Sequence, residues 1–486
     1  MGTRRQFLWE SGAGFTGLAL AALLDRDGYS PGDPGAGVAA SVNPPLAHIA
    51  PKARSCIFLF MFGGPSQVDL FDYKPELQRR DGQTVSNEFR RGTPTQAVLQ
   101  ASRRTFRRWG QSGLWCSDAF PHLARHMDKL AVIKSLYSDS FAHGSAVLQM
   151  NTGRTLQGYP SLGAWLSYGL GSDTENLPAF VVMLDPRGGP TTGAPNWSAG
   201  FMPAAHQGTV LRSEGAPVLN LRPGDGRTAA MQRDQIDFIQ SLNRDHLKGR
   251  PDYAGLAARI ASYELAFRLQ TTAPEALDLS LESPATRAAY GLDEPKGEHS
   301  LALGPAPFGR RCLIARRLVE RGVRFVQIYS GGGAAGGQNT WDGHHGIEEN
   351  LAIHCPEVDR PIAALLDDLQ QRGLLEETLV IWGGEFGRQP VSETFNTGGK
   401  PGGRDHNPQG FTYWLAGGGV RPGVSYGESD EIGERAVVNR RHLRDLHATI
   451  LHLMGVDHRV LGYFYGGFEQ RLTGPQEAAI IREVIG

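Results

Sequence analysis

Four residues, Leu379-Val380-Ile381-Trp382, constrain this chain most. They form an apolar run that stops at Gly383-Gly384, and an acid, Glu385, and a base, Arg388, follow at once. A run with no polar face suits a central strand covered on both sides. A strand that ends in glycines and hands charged groups to a loop is how an open α/β sheet builds a site at its carboxyl edge. The stretch continues through a turn-rich loop to Arg404-Asp405-His406.

Other segments repeat the pattern. Cys56 to Phe62 (CIFLFMF) is a second continuous apolar run, closed by Gly63-Gly64-Pro65-Ser66. Leu130 to Leu136, Ala179 to Leu184, Val323 to Tyr329 and Phe411 to Leu415 also read as strands. Helical periodicity falls between them: His143 to about Gly153, Ser161 to Leu170, Phe308 to Glu320, Val358 to Gln371 and Arg441 to Met454. In Val358 to Gln371, Ile362, Leu365, Leu366 and Leu369 form one stripe, and Gly373 stops the helix. Alternating strands and helices predict a mainly parallel sheet with helices on both faces.

With 486 residues, the chain suits one large α/β domain with insertions, or two domains. The rhythm breaks between about 196 and 307, which reads as an insertion or cap; Tyr253 to Leu269 within it has helical periodicity. The core domain spans 52–475, and residues 476–486 read as a helical tail. Lys plus Arg number 49 against 50 Asp plus Glu, so no global field favours nucleic acid. One local basic run, Arg103-Arg104-Thr105-Phe106-Arg107-Arg108-Trp109, reads as a solvated face or an anion site. The four cysteines, Cys56, Cys116, Cys312 and Cys355, lack metal-site spacing. Cys56 and Cys312 lie in apolar runs and are expected to pack as small hydrophobes.

Residues 1–50 read as a targeting segment and linker. Arg4 and Arg5 precede Phe7-Leu8, and a Gly/Ala/Leu stretch follows to Leu24. That stretch is shorter than the ~20 apolar residues of a membrane span. It resembles a twin-arginine export signal, which implies export machinery as a partner and a periplasmic or extracellular location, with no transmembrane anchor in the mature chain.

Four strand-end loops carry polar groups that could converge. They offer Asp69 and Asp72; Asp139, His143 and Ser145; Asp342, His344 and His345; and Glu385, Arg388, Arg404, Asp405 and His406. Carboxylates and neutral imidazoles are the ligands of a zinc-, manganese- or iron-type site. Arginines are natural partners of a phosphate or sulfate oxyanion.

Several of these motifs together carry a resemblance. Phe62-Gly63-Gly64-Pro65-Ser66, Trp341-Asp342-Gly343-His344, Gly384-Glu385-Phe386-Gly387-Arg388 and Gly403-Arg404-Asp405-His406 resemble the exported family known as domain of unknown function fifteen-oh-one. Leu365-Leu366-Asp367-Asp368-Leu369 and the Gly417-Gly418-Gly419-Val420 turn agree with it. That family looks like a distant branch of the alkaline-phosphatase and sulfatase superfamily. Here His143 to Arg154 resembles the nucleophile helix and Leu379 to Gly387 the metal-binding strand end.

The resemblance implies an alkaline-phosphatase-like three-layer sandwich. It implies a divalent metal (zinc, calcium or manganese) and a small-molecule or polysaccharide sulfate or phosphate ester as substrate. Carried over by position, Asp342, His344, His345, Glu385, Asp405, His406 and Asp69 are the candidate metal ligands. Ser145 and His143 fall near the nucleophile, and Arg388 and Arg404 would face the oxyanion. Three departures count against a full two-metal site. Phe386 stands where active members place His or Asn. Gly63-Gly64 replace paired aspartates. No cysteine occupies the nucleophile position, which excludes formylglycine there. The alternative implied is a non-catalytic, metal-depleted binding or scaffold protein of the same fold.

Overall fold

The computed structural model describes residues 48–87, 95–213, 228–248, 263, 264, 267, 274–333, 337–393 and 402–486. The segment expected to direct export, with Arg4 and Arg5, and most of the helix expected over Tyr253 to Leu269, lie outside these residues.

The apolar runs form one sheet. Its strands are β1 (Ser55–Met61), β2 (Leu130–Tyr137), β3 (Phe180–Met183), β4 (Thr209–Leu211), β5 (Phe325–Ser330) and β6 (Thr378–Gly383). After a hairpin made of β7 (Gly387–Glu393) and β8 (Gly403–Asn407) come β9 (Phe411–Ala416), β10 (Val424–Tyr426) and β11 (Arg441–His442). The sheet order is β10-β2-β9-β6-β1-β5-β3-β4, with β11 also on β2. All pairs are parallel except those of β9, which runs antiparallel to β6 and β2.

Alternation along β1 shows why the sheet is covered twice. Ile57, Leu59 and Met61 point to one face, where they join α4 (Pro305–Glu320) and α5 (Ile347–Gln371) through residues such as Cys312, Leu313, Val358 and Leu365. Cys56, Phe58, Phe60 and Phe62 point to the other. There they meet α1 (His143–Thr152), α2 (Leu162–Leu170) and α6 (Leu443–Leu453) through residues such as Val147, Trp165 and Ile450. Each fully buried side chain of this kind contributes roughly 1.5–3 kcal/mol. Helix α3 (Ala229–Lys248) follows α2 in the chain, within the stretch where the strand–helix rhythm breaks. The architecture is the expected three-layer α/β sandwich.

Four expectations change in detail. Helix α5 begins at Ile347 rather than Val358 and continues through Pro356 and Pro361. An interior proline costs about 3 kcal/mol, and the buried face of Leu351, Ile353, Cys355 and Val358 offsets this. The loop between Arg388 and His406 is partly the β7–β8 hairpin. The stretch 196–307 contributes β4 to the sheet and buries Ala276, Leu279 and Tyr290, so its ends belong to the core. The tail from Gln476 forms only a 3₁₀ turn at Arg482–Val484. Its backbone is drawn out along α6: Ala479 N–H donates to Asp445 Oδ1 and Ile481 N–H to Thr449 Oγ1. All four cysteines are buried free thiols.

Candidate metal centre

Register places the site. Phe60 pairs with both Gly383 and Tyr329, so β1, β5 and β6 end side by side. Antiparallel β9 starts at that same edge, where Phe411 faces Leu136 near the end of β2. The loops after β1, β2, β5 and β6, and the hairpin leading into β9, must therefore share one edge.

Gly63 lets them close. Its φ is +116°, and a Cβ there would lie 2.5 Å from Asp342 N, so a larger residue is excluded twice. Phe62 C=O accepts from Trp341 N–H at 2.8 Å, which docks the Asp342 loop onto β1. From the other side Gly403 packs so tightly that a Cβ would strike the His344 carbonyl, and Arg404 N–H donates to Gly343 C=O at 3.0 Å.

At the centre is Asp342, 2% exposed. His344 Nε2 lies 3.0 Å and His406 Nε2 3.2 Å from its Oδ1, and the two ring nitrogens are 2.8 Å apart. His143 Nε2 lies 2.9 Å from Oδ2. His143, Asp342, His344 and His406 thus offer one ligand atom each within 4.8 Å of one another, a group that could hold a metal ion.

The outer contacts of the rings bear on whether a metal suits them. His143 Nδ1 is 2.7 Å from Glu385 Oε1, and His406 Nδ1 is 2.7 Å from the Phe141 carbonyl. Acceptors at Nδ1 keep a proton there and leave Nε2 as the inward ligand atom, the usual outer arrangement of a metal-binding histidine. His143 Nε2 is buried with no aligned hydrogen-bond partner. Three imidazole nitrogens and one carboxylate are a donor set for a zinc-type ion, so these residues fit the group.

Electrostatics follow from the crowding. Burial pushes the His406 imidazolium down, and with the charges of Arg388 and His143 it brings the group to about 3 despite Asp342, so the ring is neutral. Burial also opposes charge on His143, but the carboxylates of Asp342 and Glu385 outweigh it and raise the group to about 9. Burial works against the Asp342 carboxylate too; Arg388 and the three histidines hold it far below the usual range.

The remaining sequence candidates surround this group. Glu385, fully buried, accepts from Gly63 N–H at 2.9 Å and supports His143 from behind. Arg388 is fully buried; it reaches Asp342 Oδ1 at 2.5 Å and donates to the carbonyls of Gly63, Gly64 and Arg404. Arg404 forms a two-pronged pair with Asp69, at 2.7 and 3.2 Å, so these two meet each other rather than the histidines. Asp405 accepts from His406 N–H at 2.7 Å. Ser145 Oγ is 2.6 Å from Ser140 Oγ and donates to the Ala142 carbonyl. Of the histidine pair, His344 turns inward and His345 is exposed. Phe386 fills the place beside Glu385, its ring 4.4 Å from that of His406 and 5.0 Å from that of His143.

Two contributors were not on the sequence-derived set: the Phe141 carbonyl and the Phe62 ring, 5.8 Å from His143. A backbone acceptor leaves no signal in residue type. Phe62 was visible only as the end of β1.

The chain matches, over residues 53–485, the family described as Protein of unknown function (DUF1501), and it belongs to that family. No curated protein matches it. Among solved structures it is similar to PsFucS1 sulfatase from Pseudoalteromonas sp., at 12% identity and a TM-score of 0.34, covering 84% of this chain and 68% of that one. It is also similar to alkaline phosphatase from the Antarctic bacterium TAB5, at 11% identity and a TM-score of 0.31, covering 79% and 96%. A third is the lipoteichoic acid synthase LtaP from Listeria monocytogenes, at 9% identity and a TM-score of 0.36, covering 90% and 79%. Likeness at this level says nothing of activity.

Proposed function

We propose that this chain is an exported protein that holds one divalent metal on His143, Asp342, His344 and His406 and hydrolyses a sulfate or phosphate ester. The observation that carries the metal is the convergence of three Nε2 atoms on one carboxylate, with two of the rings fixed from behind at Nδ1. The bound ion would supply Lewis acidity toward an ester oxygen and activation of water. The protein's own part is positional. Glu385 and the Phe141 carbonyl aim the rings, Arg388 keeps Asp342 ionised, and Phe62 and Phe386 keep the near side dry.

Arg388 and Arg404 spend their hydrogen bonds inside the protein, so they serve here as braces rather than as clamps on the ester. Ser145 has a hydroxyl partner but no basic one in contact, which makes water the better nucleophile. Export rests on Arg4, Arg5, Phe7 and Leu8. Among the described residues no helix is long and apolar enough to cross a membrane.

Phe386 favours a second reading, a non-catalytic binding or scaffold protein depleted of metal, because an apolar ring closes the space next to the cluster. Metal analysis of the purified protein, followed by assay of the metal-loaded form on aryl sulfate, aryl phosphate and sulfated polysaccharide, separates the readings. Stoichiometric metal with turnover abolished by Asp342→Asn supports the hydrolase. Metal without turnover on any of these esters removes the hydrolase. Absence of bound metal after loading removes the hydrolase and leaves the second reading.

A further inference from the structure

The basic run from Arg103 to Trp109 was open to two readings, and the fold separates its members. Arg103 and Arg104 pair with acids, Arg103 with Asp81 and Arg104 with Glu348 and Asp118. Arg108 instead lies over the Trp115 ring, its guanidinium carbon 5.1 Å from the ring centre, on the hairpin Phe106–Trp109 and Leu114–Ser117. There it borders a half-open pocket of about 210 Å³ lined by Phe71, Ser112, Leu114, Trp115, Val132 and Ser425, with Lys134 contributed by β2.

The charge balance around this cavity is uneven. Asp72, 1% exposed, is shared by two lysines, with Lys74 Nζ at 3.2 Å and Lys134 Nζ at 3.9 Å. Its other oxygen takes the Ser429 hydroxyl. Asp128, the other acid nearby, accepts the N–H groups of Gln111 and Ser112. Lys134 is therefore within ion-pair distance of Asp72 but beyond hydrogen-bond reach, and among the described residues Arg108 has an aromatic partner in place of an acid. Two cations on a pocket that mixes the Ser112 and Ser425 hydroxyls with Phe71, Leu114, Trp115 and Val132 are complementary to an oxyanion carried on a small organic body.

We propose that this cavity binds a small organic oxyanion, a carboxylate, sulfate or phosphate on a body no larger than one ring, held by Arg108 and Lys134. The site is independent of the metal reading, since none of its lining residues belongs to the histidine cluster.

Titration calorimetry of the chelator-treated full chain with benzoate, inorganic phosphate and benzyl alcohol tests it. Saturable binding of benzoate, absent for benzyl alcohol and at least tenfold weaker in both Arg108→Gln and Lys134→Gln, is the expected result. Inorganic phosphate competing with benzoate would show that the oxyanion alone is recognised; failure to compete would show that the ring is needed, and both support the site. Arg108 is exposed, so its variant keeps the test valid if Lys134→Gln perturbs β2. No saturable binding, or binding unchanged in the two variants, overturns the proposal.

Discussion

Two buried clusters of charged side chains sit along the same sheet edge, and they settle their charges differently. After β3, Asp185 receives Arg187 Nε at 2.8 Å and the N–H of Gly331 at 3.0 Å, while Arg187 Nη2 turns on to Glu357 at 2.6 Å. Arg311 adds a second positive charge 3.5 Å from Asp185 and donates to the Leu184 carbonyl. Donors and acceptors match, and the network is complete in itself. Around Asp342 the arithmetic differs: three imidazole nitrogens face one carboxylate that Arg388 already neutralises. Burial and charge are shared by both clusters. What separates a brace from a candidate metal site is the convergence of three ring nitrogens and a carboxylate oxygen on one place.

The comparison can be broken most sharply at the histidines. His344→Ala or His406→Ala should reduce bound metal from about one ion per chain to near none by elemental analysis, whereas His345→Ala should keep it. Equal metal in His344→Ala and wild type would place the ion elsewhere. At the other cluster, Asp185→Ala leaves two arginines facing a missing partner, and a loss of about 3–5 kcal/mol in denaturant unfolding is expected. Metal content per folded chain should not change.

A smaller effect is expected behind the first ring. Glu385→Gln keeps the shape but weakens the acceptor at His143 Nδ1, and metal affinity should fall 10–100-fold. A change below threefold in a competition titration would make Glu385 a packing residue.

The least of these effects is in acid. Burial opposes charge on Asp185, but Arg311 and Arg187 prevail and bring the carboxyl down to about 2. A depressed carboxylate adds stability that is fully present above the ordinary aspartate value and is lost as pH falls from near 4 to about 2. The loss should be about 2 kcal/mol. Unfolding measured across that window should be steeper in the wild type than in Asp185→Asn; parallel curves would remove Asp185 as the cause.

Sequence patterning reached the fold because β1, β5, β6 and β9 are mostly apolar, buried throughout and punctuated by glycines. It missed the first half of α5, because two prolines signal an end that tertiary packing overrides, and it missed β7, where buried Arg388 and Gln389 disguise a strand. At the site, Asp342, His344 and His406 were legible as ligand types in strand-end loops. His143 was legible by position, though as a nucleophile candidate. The division between ligand and support was not legible. Glu385 and Arg388 look like ligand and clamp in one dimension, and only their partners show that they face the histidine and the aspartate.

The hydrogen bonds that tie the site together span long stretches of chain: 322 residues from Gly63 to Glu385, 242 from His143 to Glu385, and 62 from His344 to His406. An unfolded chain cannot bring such groups together, because each long loop must close first. Any ion bound at all four would bind the native state alone, and every tenfold rise in its free concentration above the dissociation constant would add about 1.4 kcal/mol to stability. The metal supply of the compartment in which the chain folds would then set how long the folded protein lasts.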